Sequence, residues 1–185
     1  MVVLLVVYWF INAALVGNCS TVRLNFLHMA LNNLYNKIVK LQMFDAAETV
    51  AAIINANGPY IAELLRTQLR RGVDADNQPI TLIRNAVEYP FYSDYTVMLK
   101  ERKGQQTDYV TLHDSGIFYL SIRTIASAQT ESFSLLSDVP YFPDILLKVG
   151  THDRVMELSK DNLEILTNNV IKPQFALAFE VAMGQ

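Results

Sequence analysis

Three side chains capable of hydrolytic chemistry stand next to one another in the stretch VTLHDSGIFYLSI. They are His113, Asp114 and Ser115, the residue types of a catalytic triad. A nucleophilic serine needs a base within hydrogen-bonding distance and a third group that orients the base. Consecutive residues point in different directions on any regular backbone, so adjacency in sequence does not build such a site.

The same stretch also lacks the Gly-x-Ser-x-Gly pattern of a strained nucleophile elbow around Ser115. We predict instead that Asp114 or Ser115 caps a helix over Gly116–Ile122 by accepting hydrogen bonds from its free amides. Apolar residues of this helix would then dock on the core; they are Phe118, Tyr119 and Ile122. The sequence therefore predicts no catalytic residue and no enzyme.

A second polar segment, GVDADNQPI, contains side chains typical of a calcium loop. They are Asp74, Asp76 and Asn77. In the calcium-loop spacing, the next ligand position is Gln78, Pro79 follows it, and the twelfth position is Asn85 instead of Glu. Because most of the ligand pattern is missing, we predict a turn and not a metal site.

Composition places the chain among globular proteins. Of its 185 residues, 51% are hydrophobic and 18% are charged, which is enough to bury a core in one domain. The net charge of −3 argues against a nucleic-acid partner, because phosphate binding needs a basic stripe. The one dense basic run, Arg66–Arg71, ends a predicted helix, where cations complement the helix dipole.

Metal-binding and redox side chains are few and scattered. Cys19 is the single cysteine, which excludes an intrachain disulfide and a thiolate cluster. The three histidines lie far apart and make no short metal-ligand spacing; they are His28, His113 and His152. We therefore predict no metal and no cofactor.

The first 28 residues differ from the rest of the chain. An apolar run extends from Val2 to Val16, and Arg23 is the first charged residue. Three interpretations remain open: a start codon assigned too far upstream, with Met29 as the native start; a signal or membrane anchor, although basic flanks are missing; or a buried helix. We expect residues 1–28 to form a hydrophobic extension and residues 29–185 to form a single α+β domain.

Apolar periodicity predicts several helices after Met29. Residues recur at spacings of three and four over Ala30–Gln42; they are Leu31, Leu34, Ile38 and Leu41. Asp45 and Glu48 fit a capping box at the start of a second helix, which Gly58-Pro59 should kink or break and Gly72 should end. Its apolar face comprises Val50, Ile53, Ile54, Ile61, Leu64, Leu65 and Leu69.

Further elements follow in the second half. Residues 81–92 give no clear pattern, and Pro90 prevents a continuous helix. Ser93 or Asp94 should cap a short helix that Gly104 ends, and residues 124–129 and 131–138 should pair as a hairpin. After a short helix ending at Gly150, Ser159 should cap a helix interrupted by Pro173, with its apolar residues buried. Those residues are Leu163, Leu166, Val170 and Ile171. The fold class is therefore α+β: helices on a small antiparallel sheet, with long N-terminal and C-terminal helices.

Six segments in a fixed order carry a family resemblance. They are QLRRG at Gln68–Gly72, DADNQPI at Asp74–Ile80, YSDY at Tyr92–Tyr95, LHDSGIFYLS at Leu112–Ser121, LSKDNL at Leu158–Leu163 and IKP at Ile171–Pro173. The region from about Met29 to Gln185 resembles small phage and prophage proteins, often from phages of Bacteroides-type hosts. It departs from their pattern at Asn77, where the family has Gly, and at Ile117, where the family has a polar residue.

The resemblance implies a structural role in virion morphogenesis, in the neck or tail-completion class, with no catalytic residues. It implies connector and tail proteins as partners, homo-oligomers during assembly, and a location in the virion and in the host cytoplasm. Large aromatic residues that look exposed would suit such contacts; they are Tyr89, Phe91, Tyr92 and Tyr95. The alternative is a membrane-anchored or exported cellular domain, with a membrane partner only if residues 1–28 are genuine.

Overall fold

The computed structural model describes residues 21–150 and 154–184, with side chains from His28 onward. The fold is α+β, as predicted: helices accompany two antiparallel sheets of two strands each. The chain divides into two compact units. One contains Met1–Phe44 together with Glu180–Gln185, and the other contains Asp45–Phe179. Among the described residues, no helix is both long enough and apolar enough to cross a membrane.

The described elements follow one another in this order: α1 Thr21–Met43, α2 Ala46–Ala56, α3 Gly58–Arg70, β1 Leu82–Arg84, β2 Val87–Tyr89, α4 Asp94–Arg102, α5 Ile117–Ser121, β3 Ile122–Ser127, β4 Ser132–Ser137, α6 Phe142–Lys148, a 3₁₀ turn Arg154–Met156, α7 Lys160–Leu166, a π-helical turn Thr167–Ile171, and α8 Lys172–Met183. The hydrophobic core lies within the unit Asp45–Phe179 and draws on α2, α3, α5, β3, β4 and α7.

Helix α1 confirms the predicted helix over Ala30–Gln42 and starts earlier, running through Met29 without a break. Its described side chains are exposed except for Leu31 and Val39, which are half-buried. Residues 1–20, including Cys19 and the apolar run Val2–Val16, lie outside the described residues. The boundary at residue 29 and the single domain over 29–185 therefore stay predictions.

The predicted break between α2 and α3 is confirmed. The Asp45 side chain accepts a hydrogen bond from the Glu48 amide at 2.9 Å and caps α2. The two helices separate at Asn57, next to Pro59, which has no amide hydrogen to continue the helical ladder. Helix α3 gives way at Gly72, whose φ of +70° suits a residue without a Cβ.

The predicted hairpin is also confirmed, as β3 and β4. Its antiparallel register runs from Ile122 opposite Ser137 to Ser127 opposite Ser132. The Asn55 side chain from α2 donates to the Ala126 carbonyl at 3.2 Å and accepts from the Ala126 amide at 2.8 Å. This side chain satisfies backbone groups at the outer edge of β3, as a neighbouring strand would.

A second hairpin, β1–β2, was missed because its strands have only three residues each. Leu82 pairs with Tyr89 and Arg84 with Val87. Asn85 and Ala86 make the turn with φ values of 51° and 61°. Two consecutive positive φ values are typical of a type I′ turn, which usually contains glycine. Because this turn has Asn-Ala instead of Asn-Gly, the sequence did not indicate it.

The end of the chain contains one confirmed cap and two corrections. The Ser159 hydroxyl accepts from the Asn162 amide at 3.3 Å and caps α7. Leu166 and Val170 are buried as predicted, but Leu163 is exposed and Ile171 only half-buried. Ser159, Leu166 and Val170 are buried, whereas Leu163 is 40% exposed although it shares their helical spacing.

Pro173 does not interrupt the helix, contrary to prediction. The chain forms the π-helical turn Thr167–Ile171 and then continues directly into α8. The wider π-helical turn before the proline leaves room for the proline ring. It also shifts the hydrogen-bond pattern, so the helix continues although proline has no amide hydrogen to donate. The sequence located the irregularity correctly but not its form.

Candidate functional site

The structure separates the side chains of His113, Asp114 and Ser115. The Asp114 carboxylate accepts a hydrogen bond from the Lys103 ammonium, and the His113 ring lies edge-on to Tyr119, with centroids 5.2 Å apart. The Ser115 hydroxyl accepts from the Ile117 amide at 3.4 Å. Within the described residues, no hydrogen bond joins any two of these three side chains.

The predicted hydrogen bond from a free helix amide to Ser115 is present, but the predicted position of the N-cap is wrong. Gly116, not Asp114 or Ser115, is the N-cap of α5, with a φ of 84° and no capping side chain. A left-handed residue is needed at this position, and glycine adopts it at least cost. The hydrogen bond from Lys103 lowers the pKa of the Asp114 carboxyl below its ordinary value. Docking of Phe118, Tyr119 and Ile122 on the core is confirmed.

A buried lysine holds the loop before α5. Lys100 donates from Nζ to the His113 carbonyl at 2.5 Å and to Gln105 Oε1 at 3.2 Å. The same ammonium lies 4.7 Å from the centroid of the Tyr92 ring, a distance at which the ring face attracts a cation. A buried ammonium is costly unless it is hydrogen-bonded, and these contacts stabilise it.

Ionisable side chains from three segments converge on a cavity of about 300 Å³ beside this lysine. Its lining comprises Arg70, Lys100, Gln105, Gln106, Thr111 and His113. The lining offers positive charge and hydrogen-bond donors, but Arg70 already pairs with Glu63, and the Lys100 ammonium is already hydrogen-bonded to two oxygen atoms. The Thr111 hydroxyl already shares a hydrogen bond with the Tyr92 hydroxyl at 3.2 Å. Among the described residues, no hydrogen bond joins the His113 ring to a hydroxyl.

The acidic turn has a structural role. Asp74 is completely buried, and its Oδ1 accepts from the amides of Asp76 and Gln78 at 2.9 Å each. Asp76 accepts from Arg154 at 2.6 Å. Across the described residues, no group of three or more histidine, cysteine, aspartate or glutamate side chains is placed to hold a metal ion.

The basic run at the end of α3 is used within the fold. Arg66 donates to the Tyr119 carbonyl in α5 at 2.7 Å. It also donates to the Ile122 carbonyl, at the start of β3, at 3.2 Å. Arg70 donates to Glu63 at 2.6 Å and lowers the pKa of that carboxyl. Arg66 therefore joins α3 to α5 and β3, beyond any effect on its own helix dipole.

A group of three residues lies on and beside the β1–β2 hairpin and is here called the arginine–aromatic cluster: Arg84, Tyr89 and Phe91. The Arg84 guanidinium lies 4.2 Å from the Tyr89 ring centroid and 5.6 Å from that of Phe91. It also donates to the Phe91 carbonyl at 3.1 Å. The two rings meet edge to face, 5.7 Å apart.

The hairpin register explains this cluster. Arg84 faces Val87 directly, so Tyr89, two residues further along β2, is its diagonal neighbour on the same face of the sheet. Pro90 then ends the strand, and Phe91 follows. The sequence pattern identified Tyr89 and Phe91 but not Arg84. Arg84 comes close to these rings only because of the turn at Asn85 and Ala86, which the sequence pattern did not reveal.

The four aromatic residues predicted to be exposed divide into three groups. Phe91 is 52% exposed and Tyr95 is 68% exposed, as expected, whereas Tyr89 is half-buried. Tyr92 is buried, and the prediction was wrong there. Its hydroxyl accepts from the Thr111 amide at 2.8 Å, a contact with a residue distant in sequence.

A half-buried guanidinium packed beside two aromatic rings, one of them exposed, is a typical protein-recognition arrangement. Arginine and tyrosine are enriched among interface residues that dominate binding energy, and a pre-ordered cluster loses little side-chain freedom on binding. Among the described residues, the arginine–aromatic cluster is therefore a candidate protein-contact surface. Comparison with protein-family models, with curated proteins and with solved structures gave no match for this chain.

Proposed function

We propose that this chain is a structural protein of a phage virion, acting at the head–tail connector or in tail completion through protein–protein contacts. The proposal rests on the six ordered segments that resemble phage morphogenesis proteins. The observation that carries it is the arginine–aromatic cluster, a pre-ordered surface with an exposed Phe91 and half-buried Arg84 and Tyr89, of the kind that binds proteins.

The cluster is suited to contact rather than to chemistry. Phe91 and Val87 expose apolar surface, and Arg84 adds a positive charge beside them. Arg84 Nε is shielded from solvent and has no hydrogen-bond acceptor within the described part of the chain. A partner residue with a carboxylate or carbonyl group would bind the solvent-facing side of this half-buried guanidinium and not the shielded Nε.

The test is deletion of the gene from its phage, followed by complementation and electron microscopy of the particles. We expect deletion to leave unjoined heads and tails, and the wild-type chain to restore joined virions. The double variant Arg84→Ala/Phe91→Ala should fail to restore them. Leu147→Ala, which truncates a 76% exposed leucine on α6, is the matched control and should restore joining.

Two results would contradict the proposal. One is a deletion mutant whose virions are joined and infectious. The other is the absence of the chain from purified particles and from their assembly intermediates.

A second candidate, a membrane-anchored or exported cellular domain, rests on the apolar run Val2–Val16 alone. Fractionation of cells that express the full chain separates the two proposals. Recovery in the membrane fraction with Met1 retained favours the second, and recovery in the aqueous fraction with Met1 retained removes it.

A further inference from the structure

Helix α1 carries an apolar stripe with a regular alternation of spacings. In the described part, Leu31, Leu34, Ile38 and Leu41 lie at intervals of three, four and three residues. The sequence continues the same alternation backward through Leu27 and Leu24. The mean interval is therefore 3.5 residues, the heptad repeat of a coiled coil, with Leu31 and Ile38 at a positions and Leu34 and Leu41 at d positions.

Three of the four described stripe residues are exposed, and the fourth, Leu31, is half-buried. Leu34 is 56% exposed, Ile38 is 44% exposed and Leu41 is 55% exposed. The end of the chain lies on a different face of the helix: Lys40 donates from Nζ to the Met183 carbonyl at 3.3 Å. Asn33 and Asn36 line the same groove as Met183 and Gly184. Most of α1's described side chains are exposed, so its apolar stripe needs a partner.

The spacing of the stripe indicates which partner fits. Knobs that repeat every 3.5 residues interlock with holes of the same repeat, and α1 of a second copy supplies that repeat without any further assumption. The positions beside the stripe agree with a parallel pair. Lys37, at a g position, would face Gln42 of the second copy at an e position, and no like charges would meet across that contact.

We propose that α1 pairs with α1 of a second copy in a parallel, in-register coiled coil. The helix has 23 residues, about three heptads, which is near the lower limit for such a structure. The pair should therefore dissociate on dilution. This inference does not depend on the virion role, since it rests on the stripe alone.

The first experiment is sedimentation equilibrium of the full chain over a range of concentrations. We expect a reversible monomer–dimer equilibrium that Leu34→Lys/Ile38→Lys weakens by at least about a hundredfold, because both helices lose buried apolar contacts. Asn32→Lys/Asn36→Lys adds the same charge on the opposite face and should leave the equilibrium near that of the wild type.

The second experiment tests orientation by disulfide trapping in a Cys19→Ser background. In a parallel, in-register pair, residue 34 lies beside its own copy at a d position, within reach of a disulfide. Leu34→Cys should therefore form a covalent dimer under mild oxidation, and Asn36→Cys, on the other side of the helix, should not.

Three outcomes would overturn the proposal. They are a chain that stays monomeric at every concentration, which would mean that the stripe is satisfied within one chain; equal effects of the stripe and control lysine pairs; or equal trapping at positions 34 and 36. Loss of the dimer in Leu34→Lys/Ile38→Lys, with normal joining of heads and tails, would support the coiled coil and show that joining does not require it.

Discussion

Helices α1 and α3 both carry leucine and isoleucine at helical spacings of three or four residues, yet their apolar stripes have opposite environments. In α3, Ile61, Leu65 and Leu69 are fully buried within the unit Asp45–Phe179. In α1, Leu34, Ile38 and Leu41 are exposed. Helical periodicity thus determines which residues share a face, but not whether anything covers that face.

Polar residues of the two helices differ in the same way. Gln68 on α3 is buried and fully engaged: it donates to the Glu157 carbonyl at 2.9 Å and accepts from the Ser159 amide at 2.8 Å. It also accepts from Asn162 at 3.1 Å and so joins α3 to the start of α7. The exposed Asn36 of α1 has no such contacts among the described residues. A covered helix needs its polar side chains to be satisfied, and an uncovered helix leaves them to water.

The largest expected effect comes from truncating one leucine in each stripe. Leu65→Ala should lower the free energy of unfolding by about 3 kcal/mol, because it removes buried contacts and leaves a cavity. Leu34→Ala should change it by less than about 0.5 kcal/mol in dilute, monomeric protein. Urea denaturation followed by circular dichroism measures both, and equal losses would break the comparison.

The next effect concerns the buried amide. Gln68→Leu should cost about 2 kcal/mol, because the Glu157 carbonyl and the Ser159 amide lose their partner in a buried place. The control is Asn36→Leu on α1, with an expected change near zero. A neutral Gln68→Leu variant, measured by the same denaturation, would show that water replaces the amide.

A smaller effect, of opposite sign, is expected at the β1–β2 turn that sets the arginine–aromatic cluster. Ala86→Gly should raise the free energy of unfolding by about 1 kcal/mol, because glycine tolerates a φ of 61° without the steric cost of a Cβ. Ala128→Gly, in the β3–β4 turn where φ is not positive, should bring no gain. A gain at Ala128 equal to that at Ala86 would contradict this explanation.

The smallest effect is the pH dependence of the exposed pair Lys103–Asp114. The pKa of Asp114 is lowered in the folded state from its ordinary value of 3.8. Its contribution is therefore present above that value and is lost as pH falls through the lowered folded pKa. An exposed pair contributes less than about 1 kcal/mol, so Asp114→Asn should flatten the acid side of the stability profile only slightly. A steeper acid loss in Asp114→Asn than in the wild type would reverse the sign.

Local signals predicted much of the fold. The caps at Asp45, Ser93 and Ser159, the break near Pro59 and the β3–β4 hairpin all rest on interactions between residues close in sequence. The β1–β2 hairpin was missed because its turn lacks the usual glycine and its strands are too short to show alternation. Without that turn, Arg84 could not be placed beside Tyr89.

Burial was the part that the sequence left open. The sequence predicted an exposed Tyr92 and a buried Leu163. In the structure the tyrosine is buried and hydrogen-bonded to Thr111, and the leucine is exposed. Lys100, a charged residue in the last turn of α4, is buried because the loop that contains His113 supplies its hydrogen bonds. Each outcome depends on a segment distant in sequence.

The sequence by itself determined where helices α2, α4 and α7 begin and which side chains share a face, because capping and periodicity act within a few residues. Only the tertiary structure decided which faces are covered, which charges are buried and which rings surround Arg84. These outcomes depend on contacts between distant segments, whose free energy comes from desolvation and packing that no local pattern encodes.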